Sequence, residues 1–300
     1  MIHDPLRVIA LVGFGEAGSI LGADLATSGR QVCTYDILLD AAATRQRMLD
    51  RAVAAGVRVA RDLAAAVSGA DLVISAVTAG SSTSVAAEAA KSLRAGQVFL
   101  DINSVSPASK RVSAECIERS GADYIEAAVM APVPPQRLKV PMLLGGPRAQ
   151  QLAQALREIG MNTAAISDRI GVASAVKMCR SIVIKGLEAL TVESMFAARR
   201  FGAEAEVLAS LNGTFPNMGW LDAQPDYLIS RVAEHGRRRA SEMREVARTL
   251  QEVDLEPTMA LATAARQDWL VDAMATHGLT YSHEGSFSWQ ALADALKEST

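Results

Sequence analysis

The stretch VIALVGFGEAGSILGADLATSGRQVCTYD, from Val8 to Asp36, decides the fold. It begins with an apolar run, residues 8–12, which is typical of a parallel strand covered on both faces. Glycines in G-x-G-x-x-G spacing follow at once. A helix is predicted from about Glu16 to Ser28, and a second strand from Gln31 to Tyr35. Strand, glycine turn, helix, strand and acid therefore arrive in the order of a dinucleotide-binding unit.

The three glycines have different expected tasks. Gly13 makes the tight turn, Gly15 lets the backbone approach a pyrophosphate, and Gly18 lets the helix lie close to the strand. The helix N-terminus adds free N–H groups and a partial positive charge. A domain of this kind with an empty site is the alternative. The predicted cofactor-binding residues of the stretch are Gly13, Phe14, Gly15, Glu16, Ala17, Gly18 and Asp36.

Asp36 predicts the cofactor. An acid at the end of the second strand accepts hydrogen bonds from both ribose hydroxyls of an adenosine and repels a 2′-phosphate. The nearest basic residues, Arg45 and Arg47, do not follow it directly. NAD is therefore favoured, with NADP as the alternative.

Strands and helices alternate through Ile102, which predicts an α/β Rossmann domain with a doubly wound, mainly parallel sheet. Ligands bind at the carboxyl ends of such strands. Val77 and Thr78 follow the fourth strand and are predicted to contact the cofactor. We expect this domain to span residues 1–167. An all-α domain, residues 168–300, should follow and begin with a long interdomain helix.

Two further loops lie at strand ends. In DINSVSP, Asp101 to Pro107, Asn103 and Ser104 offer an amide and a hydroxyl to a ligand, or the segment is a plain capping loop with Ser106 as cap. The proline-rich loop, residues 131–141, is predicted to be stiff and extended. Its Gln136, Arg137 and Lys139 indicate either a clamp for an anionic substrate or a solvated connector.

A long helix is predicted from Gly171 to about Arg200. It is apolar nearly all round, so we expect it to be buried between domains or between subunits. Lys177 interrupts this surface. A lysine at low dielectric can act as a general base near neutral pH, or it can extend to the helix edge or pair with an acid such as Glu188. Gly186 suggests close approach of another backbone or a ligand.

The remaining chain is predicted to be helical. His235 and Gly236 should separate two of its helices. The neighbouring Arg237, Arg238 and Arg239 indicate either a solvated helix start or an anion clamp.

Composition excludes several functions. The 300 residues carry a net charge of −3 and no basic stripe, so nucleic acid is not an expected partner. The three cysteines lack C-x-x-C spacing, which predicts reduced thiols of a cytoplasmic protein and no metal site. No stretch reaches ~18 uncharged apolar residues, so no membrane span is predicted. The polar N-terminus does not resemble a signal peptide.

Together these stretches resemble the β-hydroxyacid dehydrogenase superfamily, in particular a 6-phosphogluconate-dehydrogenase-like subgroup with its own C-terminal helical domain. The fingerprint VGFGEAGSILGADLATSG is similar to that family's dinucleotide motif. DINSVSP is similar to its D-x-S-[ST]-x-x-P loop, and GVASAVKMCRS to its lysine helix. The resemblance covers most of the chain and implies a homodimer or higher homo-oligomer.

The resemblance also implies site residues. Lys177 falls on the catalytic lysine. Asn103 stands at a position that touches nicotinamide and substrate. The family's asparagine after the lysine is Ser181 here, beside Arg180, and its Ser-Gly-Gly substrate segment is Met130-Ala131-Pro132, so substrate identity does not carry over. The predicted substrate-binding residues are Asn103, Ser104, Met130, Ala131, Pro132, Arg180 and Ser181.

The reaction implied is hydride transfer between a nicotinamide cofactor and a small anionic β-hydroxy acid or sugar-acid-like alcohol, with Lys177 as general acid and base. Two alternatives remain. One is an imine or carbonyl reductase on the same fold, although related imine reductases generally lack this lysine. The other is a non-catalytic dinucleotide-binding protein.

Overall fold

The computed structural model describes residues 6–297. Their contacts divide the chain into two compact units, Met1–Lys177 and Met178–Thr300. The predicted domain boundary after residue 167 lies at the end of the last strand, whereas the division by contacts falls ten residues later, inside the long helix. Lys177 is thus the last residue of the first unit.

In the described part of the first unit, eight strands form one sheet. The strands are β1 Val8–Val12, β2 Gln31–Tyr35, β3 Arg58–Val59, β4 Leu72–Ser75, β5 Val98–Asp101, β6 Asp123–Val129, β7 Pro141–Gly145 and β8 Asn162–Ser167. The helices are α1 Glu16–Thr27, α2 Ala42–Ala54, α3 Leu63–Val67, α4 Ser82–Ala90, α5 Pro107–Glu118, α6 Val133–Gln136 and α7 Ala149–Glu158.

The strand order is β3-β2-β1-β4-β5-β6-β7-β8. All neighbouring pairs are parallel except β6 and β7. Side chains alternate between two cores, one on each face: Ile9 and Leu11 point to one, and Ala10 and Val12 to the other. The prediction of a doubly wound, mainly parallel sheet is confirmed, and the carboxyl ends of β1, β2, β4 and β5 form one edge.

A long helix, α8 Val172–Phe201, leaves the first unit. The second unit also contains α9 Glu204–Thr214, α10 Gln224–Gln251, α11 Thr258–Thr276 and α12 Trp289–Ala295. Its core includes Val192, Ile229, Leu270 and Trp289. The predicted all-α second half is confirmed.

Two expectations for these helices were wrong. His235 and Gly236 do not break a helix, because α10 runs through them; a Cβ at Gly236 would lie only 2.5 Å from Val271 Cγ2 of α11, so the glycine serves helix packing. At Gly186 no other backbone approaches closely, since the nearest atom to a Cβ there is Thr263 Oγ1 at 3.9 Å; the approach of a ligand stays a prediction.

The long helix is also less buried in the single chain than its apolar sequence predicts. Val176, Val183 and Leu190 are exposed, with 69% of Val183 accessible to solvent. Their spacing of seven residues places them on one helical face. Burial of this face between subunits remains a prediction.

Candidate functional site

The glycine turn leaves space where its backbone can approach a ligand. Gly13 has φ +90°, and a Cβ there would lie 2.4 Å from Ala76 O. A Cβ at Gly18 would lie 2.1 Å from Gly13 O, so α1 packs directly against the turn. At Gly15, by contrast, no atom lies within 4 Å of the added Cβ. Two glycines thus serve close packing, and Gly15 opens a cradle at the helix start.

The start of α1 is suited to an anion. Gly15 is the N-cap, and no side chain caps it. The first N–H groups of a helix have no intrahelical acceptor, so they remain donors for a phosphate. Ala17 is half-buried in this first turn, Glu16 is exposed, and Phe14 is fully buried. The residues therefore fit the pyrophosphate of a dinucleotide.

Asp36 joins this turn to the end of β2. Its Oδ2 accepts the N–H of Phe14 at 2.7 Å, and its Oδ1 accepts the N–H of Leu38 at 2.9 Å. The carboxylate is half-buried, and its remaining lone pairs can accept hydrogen bonds from ribose hydroxyls. Arg51 donates to Phe14 O at 3.0 Å and so braces the turn from α2.

Tyr35, the residue before Asp36, is held in its phenol form. Burial, with the hydrogen bond to Asp40 at 2.6 Å, raises the pKa of Tyr35 to about 12. The predicted basic neighbours, Arg45 and Arg47, lie exposed on α2.

Asn103 fastens the loop after β5 to the loop after β4. Its Oδ1 accepts the N–H of Val77 at 2.7 Å, and its Nδ2 donates to Ser75 Oγ at 3.0 Å and Ser82 Oγ at 3.2 Å. The side chain is 5% exposed. The structure thus brings together three predicted positions, Val77, Thr78 and Asn103, but it directs the amide of Asn103 into the protein. Its contact with a ligand stays a prediction.

Ser104 is half-buried beside this amide. Ser106 caps α5 by accepting the N–H of Ser109 at 3.3 Å, and Pro107 opens the helix. The capping part of the DINSVSP hypothesis is therefore confirmed, and it leaves Ser104 as the polar side chain at this strand end with a partly exposed surface.

A buried ionic cluster beneath these loops was missed by sequence reasoning. Lys110 Nζ lies 2.9 Å from Asp101 Oδ1 and donates to Asp101 O at 2.8 Å, and Tyr124 donates to Asp101 Oδ2 at 2.8 Å. Burial and the neighbouring Asp101 raise the pKa of Tyr124 well above its usual range, so the phenol stays a donor. The sequence gives no signal for this cluster, because only the folded chain brings Lys110 and Tyr124 next to Asp101.

The proline-rich loop was predicted to be extended, and this prediction was wrong. Val133–Gln136 form a short helix, and residues 137–139 form a 3-10 turn. Proline fits the first helical turn because its φ is already helical and its missing N–H would have no acceptor there. Arg137 binds Asp24 of α1, with Nε 3.1 Å from Oδ1. Arg137 therefore holds the loop to a helix of the same unit.

Met130, Ala131 and Pro132 follow β6. Met130 donates its N–H to Pro141 O at 2.9 Å, so the segment stays tied to β7. Met130 and Ala131 are half-buried, and Pro132 is exposed. The segment offers apolar surface where the related family motif carries a hydroxyl and two glycines.

Lys177 lies in the second turn of α8 and is half-buried. The start of this helix is capped by Glu126 of β6, whose Oε1 accepts the N–H of Gly171 at 2.7 Å. Arg180, exposed, and Ser181, buried, follow in the second unit. The alternative partner for the lysine, Glu188, forms an ion pair with Arg239.

The three arginines of the predicted positive cluster each face an acid. Arg237 pairs with Asp268 at 3.0 Å, Arg238 with Glu242 at 3.1 Å, and Arg239 with Glu188. Burial, with the nearby Arg231 and Arg238, lowers the pKa of His235. The pairs of Arg237 and Arg239 join α10 to α11 and to α8, whereas that of Arg238 lies within α10.

Metal-binding clusters and helices able to cross a membrane are both absent from residues 6–297. No group of three or more His, Cys, Asp or Glu side chains there is arranged to hold a metal ion. None of the helices in that range is long and apolar enough to cross a membrane.

The chain matches two family models. The NAD binding domain of 6-phosphogluconate dehydrogenase matches residues 8–167, more than half of the chain. A domain of unknown function, DUF1932, matches residues 198–270. The two matches fall in the α/β half and in the helical half, respectively.

Solved structures extend the match to nearly the whole chain. A conserved hypothetical protein from Sinorhizobium meliloti is 36% identical, with a TM-score of 0.79 over 98% of this chain and 97% of that one. A conserved protein of unknown function, described as similar in structure to 3-hydroxyacid dehydrogenases, is 31% identical, with a TM-score of 0.71 over 89% and 98%.

More distant structures share the fold alone. The 3-hydroxyisobutyrate dehydrogenase of Mycobacterium tuberculosis is 17% identical, with a TM-score of 0.74 over 97% of this chain and 99% of that one. An imine reductase of Streptomyces aurantiacus is 19% identical, with a TM-score of 0.57 over 97% and 100%. Because a family model matches more than half of its residues, the chain belongs to the family of the 6-phosphogluconate dehydrogenase NAD-binding domain, and its first unit is an NAD(P)-binding domain.

Proposed function

We propose that the protein is an NAD(P)-dependent oxidoreductase acting on a small anionic β-hydroxy acid or sugar-acid-like alcohol. The observation that carries this proposal is the first unit itself. There an uncapped helix N-terminus opens onto free space at Gly15, and a second helix, capped from the sheet, carries Lys177 in its second turn. The family match and the likeness to 3-hydroxyacid dehydrogenases support the reaction class.

Each element then has one task. The pyrophosphate lies on the stretch from Gly13 to Ala17, where the first N–H groups of α1 donate to it, and Asp36 accepts the ribose hydroxyls. Val77, whose N–H donates to Asn103, and Thr78 border the cofactor at the next strand end. When bound, the nicotinamide accepts or supplies the hydride.

Lys177 moves the proton. In oxidation its neutral amine accepts the proton of the substrate hydroxyl, and in reduction its ammonium returns a proton to the carbonyl oxygen. Ser104, Ser181 and Arg180 orient the substrate, and the segment from Met130 to Pro132 shapes its pocket. General acid–base transfer of this kind contributes roughly 10²- to 10⁴-fold in rate.

The test is NADH absorbance with 3-hydroxyisobutyrate, 3-hydroxybutyrate and gluconate, each with NAD and with NADP. We expect turnover that Lys177→Met lowers by roughly 10²-fold or more while NADH binding, followed by fluorescence, is retained. Lys91→Met, at an exposed lysine of the first unit, is the matched control. A Lys177→Met enzyme within tenfold of wild type would exclude the proposed role.

We propose NAD as the preferred cofactor, because Asp36 places a carboxylate where NADP carries a phosphate. NADH should therefore bind more tightly than NADPH, and Asp36→Ala should narrow the difference. Equal dissociation constants for the two cofactors in the wild type would contradict the preference.

One rival rests on the likeness to the imine reductase of Streptomyces aurantiacus. It predicts NADPH oxidation with a cyclic imine such as 2-methylpyrroline and little loss in Lys177→Met. A non-catalytic dinucleotide-binding protein would show NADH binding without turnover of either class.

A homodimer or higher homo-oligomer is part of the proposal. The exposed apolar face of α8, formed by Val176, Val183 and Leu190, supports it. Light scattering should give at least twice the mass of the chain, and Val183→Glu should lower the measured mass toward that of the monomer. The cytoplasmic location predicted from the free thiols Cys33, Cys116 and Cys179 stays a prediction.

A further inference from the structure

A carboxylate buried in the sheet holds the helix that carries Lys177. Glu126 lies on β6 and is completely buried. Its Oε1 accepts the N–H groups of Gly171 at 2.7 Å and Ala173 at 3.0 Å, and its Oε2 accepts the N–H of Ser174 at 3.3 Å. One side chain of the sheet thus satisfies three donors at the start of α8.

Two glycines, Gly145 and Gly171, leave room for Glu126 and for the start of α8. Gly145 is paired with Glu126 across the sheet, and a Cβ there would lie 2.6 Å from Glu126 Oε1. Gly171 has φ +101°, and its Cβ would lie 3.2 Å from Pro107 Cβ. Only glycine fits both positions easily, so the helix start lies directly against the sheet and the first turn of α5.

Other helices of the protein are capped locally. Asp62, Ser106 and Ser288 each accept an N–H three residues further along the chain. A local cap ties a helix to its own loop. The residue before α8 is Gly171, which has no side chain, and the cap of the helix comes from a strand 45 residues earlier. This remote cap ties the helix to the sheet.

We propose that Glu126 is a positioning residue for Lys177. The inference rests on the proposed role of Lys177. Ser174 and Lys177 are neighbours on one face of α8, because residues three apart on a helix are adjacent, with a rise of about 4.5 Å between them. Fixing the N–H of Ser174 therefore fixes the height and rotation of the lysine. Misplacement of a reacting group by 1 Å can cost about 100-fold in rate.

The experiment uses the full chain and compares Glu126→Gln with Glu126→Asp. Glutamine keeps the shape and one acceptor oxygen but turns an NH₂ group toward the N–H of Ser174. Aspartate keeps the charge and is one methylene shorter. The matched control is Asp71→Asn, since Asp71 also accepts two backbone N–H groups, those of Arg7 at 2.9 Å and Val8 at 2.8 Å, but at the opposite edge of the sheet.

Two quantities are measured at a temperature well below the melting point of each variant. For the substrate that gives turnover in the NADH assay, the kcat of Glu126→Gln should fall about 10- to 100-fold, with an unchanged dissociation constant for NADH. Independently of turnover, trinitrobenzenesulfonate should modify Lys177 at least about threefold faster, relative to Lys91, because the first turn opens locally. In Glu126→Asp, kcat and the modification rate of Lys177 should lie between those of wild type and Glu126→Gln. Asp71→Asn should change neither quantity.

The outcomes separate the two proposals. If Lys177→Met is inactive but Glu126→Gln keeps wild-type kcat and wild-type Lys177 modification, Glu126 only stabilises the fold and the inference is wrong. If Lys177→Met retains activity, the proposed role of Lys177 in the reaction fails, and the modification rate still decides whether Glu126 fixes the position of the lysine.

Discussion

Glycine permits close contact in both units, but with different partners. In the first unit, a Cβ at Gly18 would lie 2.1 Å from Gly13 O, within the same turn. In the second unit, a Cβ at Gly236 would lie 2.8 Å from Gln267 O, on another helix. The first contact shapes the turn to which we assign the cofactor, and the second brings two helices together.

Buried ion pairs also differ between the units: those of the first unit lie beneath loops, and those of the second join helices. Asp101 and Lys110 lie beneath the strand-end loops of the first unit. In the second unit, Lys185 pairs with Glu242 and Glu188 with Arg239, which joins α8 to α10. Burial lowers the pKa of Lys185 and raises that of Glu188. Desolvation thus opposes both charges, and the ion pairs offset it.

The largest predicted effect follows from breaking one pair in each unit. Lys110→Met and Arg239→Met each leave a buried carboxylate without its cation, which should cost about 3–5 kcal/mol in the free energy of unfolding. Because Asp101 supports the loop that Asn103 fastens to Val77, Lys110→Met should also weaken NADH binding. Denaturant unfolding and NADH fluorescence measure both effects.

The control for this contrast is Arg239→Met itself, which should lose stability but keep its affinity for NADH. Equal losses of NADH affinity in the two variants would show that the second unit also supports the cofactor site, and the proposed division of roles would fail.

A smaller effect is expected from adding one methyl group at each close contact. Gly18→Ala and Gly236→Ala should each destabilise the protein by about 1–3 kcal/mol, because the neighbouring backbone must move. Gly18→Ala should in addition weaken NADH binding. Gly15→Ala is the informative partner: its Cβ meets open space in the protein, so the melting temperature should hold while NADH affinity falls. Unchanged affinity in Gly15→Ala would move the pyrophosphate away from this turn.

Whether a residue's partners lie near or far along the chain also decides what could be predicted from the sequence. The glycine turn, the acid Asp36 and the cap Ser106 were located correctly, because each interacts with residues close by in the chain or at a fixed spacing in the motif. The bounds of β1 and β2 were predicted to the residue, since apolar runs between turn residues define them.

The errors and omissions involve distant partners. Gly236 was predicted to break a helix, and only Val271 on α11 explains why the helix continues. Lys110 and Glu126 attracted no prediction, because their partners lie on other strands and helices. The proline-rich loop was predicted to be extended because prolines favour extended chain, but proline also suits the start of a helix, and the sequence pattern does not distinguish the two.

The smallest predicted effect concerns an exposed ion pair of the second unit and its pH dependence. Hydrogen bonding to Arg199 lowers the pKa of Asp294 from 3.8 to about 2. A carboxyl whose pKa is depressed by folding contributes stability above its unfolded pKa, and that contribution is lost as the pH falls through the folded value. The difference in melting temperature between wild type and Asp294→Asn should therefore be constant above pH 4 and vanish toward pH 2. In an Arg199→Met background, this pH-dependent difference should be smaller, because the partner that sets most of the pKa shift is gone while Lys297, with Nζ 3.2 Å from Asp294 Oδ1, remains. An undiminished difference there would place the cause of the pKa shift outside the pair of Asp294 and Arg199.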